Sequence, residues 1–221
     1  MIKIILALVL LLATATVFAS SPHDCIQKAD GARAEMLRYK EGQSTEAAVK
    51  QSTVDAARCI ADVDAHGKTQ IKDEAIASWK AFQKLREEKI LPTVVFYNQQ
   101  TKDNKANLDM TKDALKSMGE DNKSGECIRK ADEARAALLL YKDGKGDEAV
   151  VNKTAEDTSV CIEKLDIKGK ELGRATAIKA WKTFRSIREG KIIPAVKSFM
   201  KNSSDNTANL TKTKDALKLL E

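Results

Sequence analysis

Histidine is nearly missing from this sequence: His23 and His66 are the only two. Cysteine is scarce too, with four isolated residues and no C-x-x-C pair. These shortages argue against thioredoxin-like, haem-attaching and zinc-binding cysteine chemistry, which needs close pairs or nearby histidines. No H-E-x-x-H, P-loop, G-x-G-x-x-G or G-x-S-x-G occurs, and no Glu-x-x-His pair for a di-iron bundle. The chain is therefore read as non-enzymatic, with no cofactor and no metal site expected. Aromatic residues are only 5% of the total and prolines number three, a balance that suits helices and argues against a β-sandwich. A basic run is also lacking. The 38 basic and 32 acidic residues are interleaved, as on solvated helix faces, so no nucleic-acid partner is expected.

Only the first residues form a long apolar run. Lys3 precedes unbroken hydrophobic sequence from Ile4 to Ala13, and Val17 and Ala19 stand at the small-residue spacing that signal peptidase reads. Residues 1–19 are expected to be a signal peptide cleaved after Ala19, because the run is short of a span and no basic stop signal follows. The mature protein is then secreted and extracellular (periplasmic in a bacterium), with no stable membrane insertion.

What the sequence does contain is itself, twice. Shifted by 102 residues it aligns without a gap, and 43 of the 95 positions compared between 25–119 and 127–221 are identical. Such identity over a whole unit marks a duplicated domain. The predicted layout is repeat 1 over 20–118, a flexible linker over 119–126 and repeat 2 over 127–221. Within each unit the apolar spacing is helical. A first helix runs from Cys25 to about Glu41 and ends at Gly42, and a second from a Ser44 or Thr45 cap to about Asp64, before Gly67. A third carries Ile71, Ala75, Trp79, Phe82 and Arg86 on one face. It is expected to stop before Pro92, which opens a fourth helix. That helix bears Val94, Tyr97, Thr101, Asn104, Leu108, Thr111 and Leu115 on one stripe. Its alternative is a break near Asn104 and Asn206. The predicted fold class is all-α: a tandem duplication of an up-down four-helix bundle, each copy with one disulfide.

Cys25 and Cys59 lie 34 residues apart, as do Cys127 and Cys161. Each pair sits about equally far before and after a helix turn, so the two cysteines of an antiparallel hairpin meet at its open end within disulfide reach. Export to an oxidising compartment fits this pairing.

The best-kept stretch is SWKAFQKLREEKILP (78–92) with AWKTFRSIREGKIIP (180–194). Its W-x-x-F helix and the REGKIIP that follows resemble the extracytoplasmic four-helix sensor domains of bacterial chemoreceptors, and haem-bundle cytochromes share the shape. No family is assigned from this. Trp79, Phe82, Trp181 and Phe184 are expected as core anchors. Alternatively they wall a ligand cavity, with Arg86 and Arg188 binding an anionic head and Tyr39 and Tyr141 lining the same region. Sequons at Asn122, Asn152 and Asn202 are glycosylation acceptors if the source is eukaryotic, and that at Asn209 is less accessible. The expected function is a secreted binding protein that carries a small apolar or amphipathic ligand in its bundles. The alternative is an extracellular structural or protein-interaction protein with close-packed bundles.

Overall fold

The structure, a computed structural model, describes residues 20–119, 123–166 and 168–221, and these are helical with no strand. The predicted signal peptide and Asn122 lie outside the described residues. Repeat 1 forms α1 (Pro22–Lys40), α2 (Glu46–Asp62), α3 (Thr69–Leu85) and α4 (Leu91–Ser117); repeat 2 forms α5 (Ser124–Lys142), α6 (Glu148–Glu163), α7 (Glu171–Ile187) and α8 (Ile193–Lys218). Local chemistry sets these limits. Ser21 caps α1 by accepting from the Asp24 N–H, with Pro22 in the first turn, where its missing N–H costs nothing. Gly42 ends α1 with φ +77°, a conformation that favours glycine, and Gly144 repeats it after α5 with φ +74°. Thr45 and Asp147 cap α2 and α6 in the same way.

Both predicted staples form. Cys25 bonds Cys59 and Cys127 bonds Cys161, with Cα atoms 5.3 and 5.5 Å apart. Each ties the start of the first helix of its repeat to the end of the second.

The expected turn at the prolines does not form. Between α3 and α4 the helix passes through a π-turn, Arg86–Ile90, and a second π-turn, Arg188–Ile192, joins α7 to α8. A proline inside an α-helix removes one N–H and drives its ring against the carbonyl four residues back. The π-turn widens the helix just before each proline, so that Leu91 N–H reaches Arg86 O and Ile193 N–H reaches Arg188 O, five residues back. The helix therefore continues, and residues 69–117 form one rod about 70 Å long at ~1.5 Å per residue.

A rod that does not turn carries its second half away from its own repeat. The two rods pack side by side, α3 against α8 and α4 against α7, while the hairpin α1–α2 covers one end and α5–α6 the other. The up-down bundle confined to one repeat is thus corrected: each end combines three helices of one repeat with the last helix of the other. The cores agree. Leu210, Ala216, Leu217 and Leu220 of repeat 2 pack with Trp79 and the first disulfide, and Leu108, Ala114, Leu115 and Met118 of repeat 1 pack with Trp181 and the second. A third core lies between them, where Val94 and Tyr97 meet Val196 and Phe199. Tyr97 and Phe199 occupy equivalent positions and meet edge to face with centroids 6.0 Å apart.

Within the expected linker, α5 starts at Ser124, and the buried Ser124 hydroxyl donates to Gly119 O at 2.6 Å. Asn104 and Asn206 do not break α4 and α8, which run through them.

A protease site inserted between Gly119 and Lys123 and cut in the folded protein leaves two fragments that co-elute as one particle. Fragments that part without denaturant would overturn the exchanged arrangement. Replacing Cys25 and Cys59 together by serine removes one staple; a loss of about 2–4 kcal/mol lowers Tm by about 4–16 °C in a chain of this size. Calorimetry on the double variant checks this, and an unchanged Tm counts against the staple.

Candidate functional site

The aromatic anchors form two matching stacks. Trp79 lies on Phe82 with centroids 4.7 Å apart, and Trp181 on Phe184 at 4.9 Å. Both tryptophans are buried in the end cores, and Tyr39 and Tyr141 pack in or against the middle core. None of these four lines the two clefts described next. The phenylalanines and Arg86 do. The structure therefore divides the expected ligand set between the core and the surface.

The clefts arise where α1 or α5 crosses the other repeat's last helix beside a π-turn. The wide cleft, about 380 Å³, is floored by Leu108, Leu138, Leu139, Phe184 and Ile192. The narrow one, about 90 Å³, has Met36, Leu37, Phe82, Ile90 and Phe199. They are equivalent sites: Phe184, Ile192, Leu138, Leu139, Arg135 and Asn104 of the first correspond to Phe82, Ile90, Met36, Leu37, Arg33 and Asn206 of the second. One side chain helps explain the difference in size. Asn98 lines the wide cleft near Gly42, whereas its counterpart Met200 is partly buried against the middle core and reaches towards Gly144.

Charge separates them further. The wide cleft is bordered by Lys40, Lys102, Lys105, Arg135 and Lys142, with Glu41 the one carboxylate in its lining. Lys105 is paired with Asp109, and Lys40 lies 3.8 Å from Asp143. Lys40 and Lys142 also sit over the rings of Phe199 and Tyr97, at 5.4 and 5.3 Å. Partial burial lowers the Lys142 pKa from its ordinary value, and Lys40 adds to this while Asp143 opposes it. Cations crowded beside apolar surface favour an anion that brings its own hydrocarbon.

Polar groups at the π-turns are positioned by the rods. Asn104 Nδ2 donates to Phe184 O at 3.0 Å, where that carbonyl shares the Arg188 N–H with Arg185 O. This bond gives the polar middle of α4 its place in an otherwise apolar stripe. Arg188 donates to Val151 O at 3.2 Å and pairs with Glu189 at 2.7 Å. Arg86 donates to Val49 O at 2.9 Å, and burial pushes its pKa down to about 10, with Glu87 and Glu35 opposing. The sequence reading missed Arg135 and Lys142, and left Asn104 open between a ligand contact and a break in the helix. The shared asparagine on an apolar face was the available signal, but its meaning depends on which helix it meets.

Among the described residues no group of three or more His, Cys, Asp or Glu side chains is placed to hold a metal ion, and no helix is long and apolar enough to cross a membrane. Asn152 is exposed on α6; Asn202 and Asn209 are half-buried on α8. Comparison with protein-family models, with curated proteins and with solved structures finds no match.

Phe184 both lines the wide cleft and stacks on Trp181, so a ligand there changes Trp181 emission and leaves Trp79 unaltered. In titrations, Trp79→Phe keeps the response to ligand and Trp181→Phe loses it. The reverse pattern would remove the wide cleft as the site.

Proposed function

We propose that this chain is a secreted, non-enzymatic binding protein that carries a small amphipathic anion in the wide cleft. In this reading the signal peptide is cleaved after Ala19, the disulfides form on export, and exposed Asn152 is glycosylated in a eukaryotic source. A duplicated bundle unit gives two clefts from one gene. The observation that carries the reading is the five cations and single carboxylate around an apolar floor. Hydrocarbon gains by leaving water at ~25 cal/mol per Å². A carboxylate or sulfate head then meets ammonium and guanidinium donors beside a low-dielectric wall, where ion pairing outlasts screening by salt.

The competing reading is a protein-interaction role. It draws on the exposed Val95 and Phe96, which with Leu91 and Pro92 line a shallow groove.

Dansyl-undecanoate and its methyl ester separate the two. The carrier reading expects the acid to bind at least tenfold more tightly than the ester. Reversing Arg135 and Lys142 together to Glu weakens it by about 10–100-fold, since charged hydrogen bonds contribute ~1.5–3 kcal/mol. Binding of the acid falls as pH rises through the titration of Lys142, which lies below the ordinary lysine range, because the cation is lost above that pKa. Absence of binding, or equal binding of acid and ester, rejects the carrier.

A further inference from the structure

The narrow cleft differs from the wide one in an unexpected respect: its buried polar groups are not satisfied. In repeat 2, Arg188 has Glu189 as a partner, and Glu189 also receives Arg185 Nε at 3.2 Å. In repeat 1 the residue equivalent to Arg185 is Gln83, and it holds Glu87 through a 3.0 Å bond. Arg86 is left with the Val49 carbonyl and the Phe82 ring, 5.7 Å away, as partners. Its Nε and Nη1 are buried without a hydrogen-bond partner, and the residue is 1% exposed.

The asparagines show the same contrast. Asn104 Oδ1 accepts from Asn107 at 3.3 Å, whereas Asn206 Oδ1 is buried without a donor. Arg86 and Asn206 both line the narrow cleft, which also has Arg33 and no carboxylate. An unpaired buried donor or acceptor costs about 1–3 kcal/mol, and more when it is charged. Asn104 avoids the loss through Asn107, and Arg188 reduces it through Glu189 with only its Nε left unpartnered, whereas Arg86 of repeat 1 and Asn206 of repeat 2 leave theirs open in a single cleft.

We infer that the narrow cleft is a binding site for a small hydroxy- or amino-carboxylate. Its carboxylate accepts from the free guanidinium N–H groups of Arg86, and its own O–H or N–H donates to Asn206 Oδ1. A simple anion satisfies the first group alone, and a neutral alcohol the second alone. The room available is that of roughly three waters at ~30 Å³ each, which suits a molecule of a few heavy atoms with its far end at the cleft mouth. With its pKa near 10, Arg86 still carries its charge at neutral pH. The site is separate from the wide cleft and its amphipathic anion, so either assignment survives failure of the other.

The test follows the Arg86 Nε–H by nitrogen-edited NMR in the full chain, titrated with glycolate, acetate and methyl glycolate in turn. The expected result is a saturable shift of that resonance with glycolate, at least tenfold weaker affinity for acetate and none for methyl glycolate. Asn206→Leu brings glycolate down to the affinity of acetate, and in Arg86→Met, which lacks that resonance, calorimetry finds no binding of either. Trp181 indole and disulfide status confirm that each variant is folded, and the wild-type titration needs no variant. No saturable shift at Arg86 means that water alone occupies the cleft and overturns the inference. So does equal affinity for glycolate and acetate, or binding that is unchanged in Asn206→Leu.

Discussion

The arrangement of the whole molecule depends on how two prolines are accommodated. Pro92 and Pro194 each stand where a helix could stop, and a chain that stopped there would fold its last helix back on its own repeat. The π-turns Arg86–Ile90 and Arg188–Ile192 remove that need by widening the helix just ahead of the ring. Once the helix runs on, α4 has no place beside α1 and α2. It buries its stripe mainly against α7, and α8 mainly against α3. The middle core then follows, because two rods crossing the same midpoint bring Tyr97 against Phe199.

The parts of this fold that depend on neighbours in sequence were legible. The Thr45 cap, Gly42 at the end of α1 and the 34-residue cysteine spacing are local facts, and each has its predicted counterpart in three dimensions. The prolines were legible as helix punctuation but ambiguous in outcome. The same residue opens a new helix or sits inside a continuous one, and the choice is decided by what the next stretch packs against. The Trp-Phe stack was readable as a core anchor, and the competing idea that the tryptophans face a cleft does not hold for the clefts described here. The clefts themselves were out of reach. Arg135 and Asn104 are 31 residues apart in sequence and belong to different repeats, and only the exchanged rods bring them to one surface.

Duplication usually suggests two copies of one site. Here the backbone is repeated and the pairing of side chains is not. Ser159 accepts the Trp181 indole N–H at 3.0 Å, while its counterpart in repeat 1 is Ala57 and the Trp79 indole N–H has no partner. Arg185 and Gln83 both donate to the glutamate four residues on, but Glu189 also pairs with Arg188, whereas Arg86 lacks a carboxylate partner within bonding distance. These changes are single residues on a common scaffold, and each leaves the packing of the end cores intact.

The direction of the divergence is informative. A repeat relieved of selection would be expected to lose stabilising pairs at random over its surface. The unpartnered groups instead include two of a single cleft, Arg86 from repeat 1 and Asn206 from repeat 2, with the apolar residues around them retained. Around the other cleft Asn104 accepts from Asn107, Arg188 nearby pairs with Glu189, and the cations stand around the rim, Lys40 and Lys142 at the ends of α1 and α5. One site thus offers directed hydrogen bonds in a small space, and the other offers diffuse positive charge over a broad apolar floor. Such a difference is easier to explain by two ligands of unlike size than by two copies of one site.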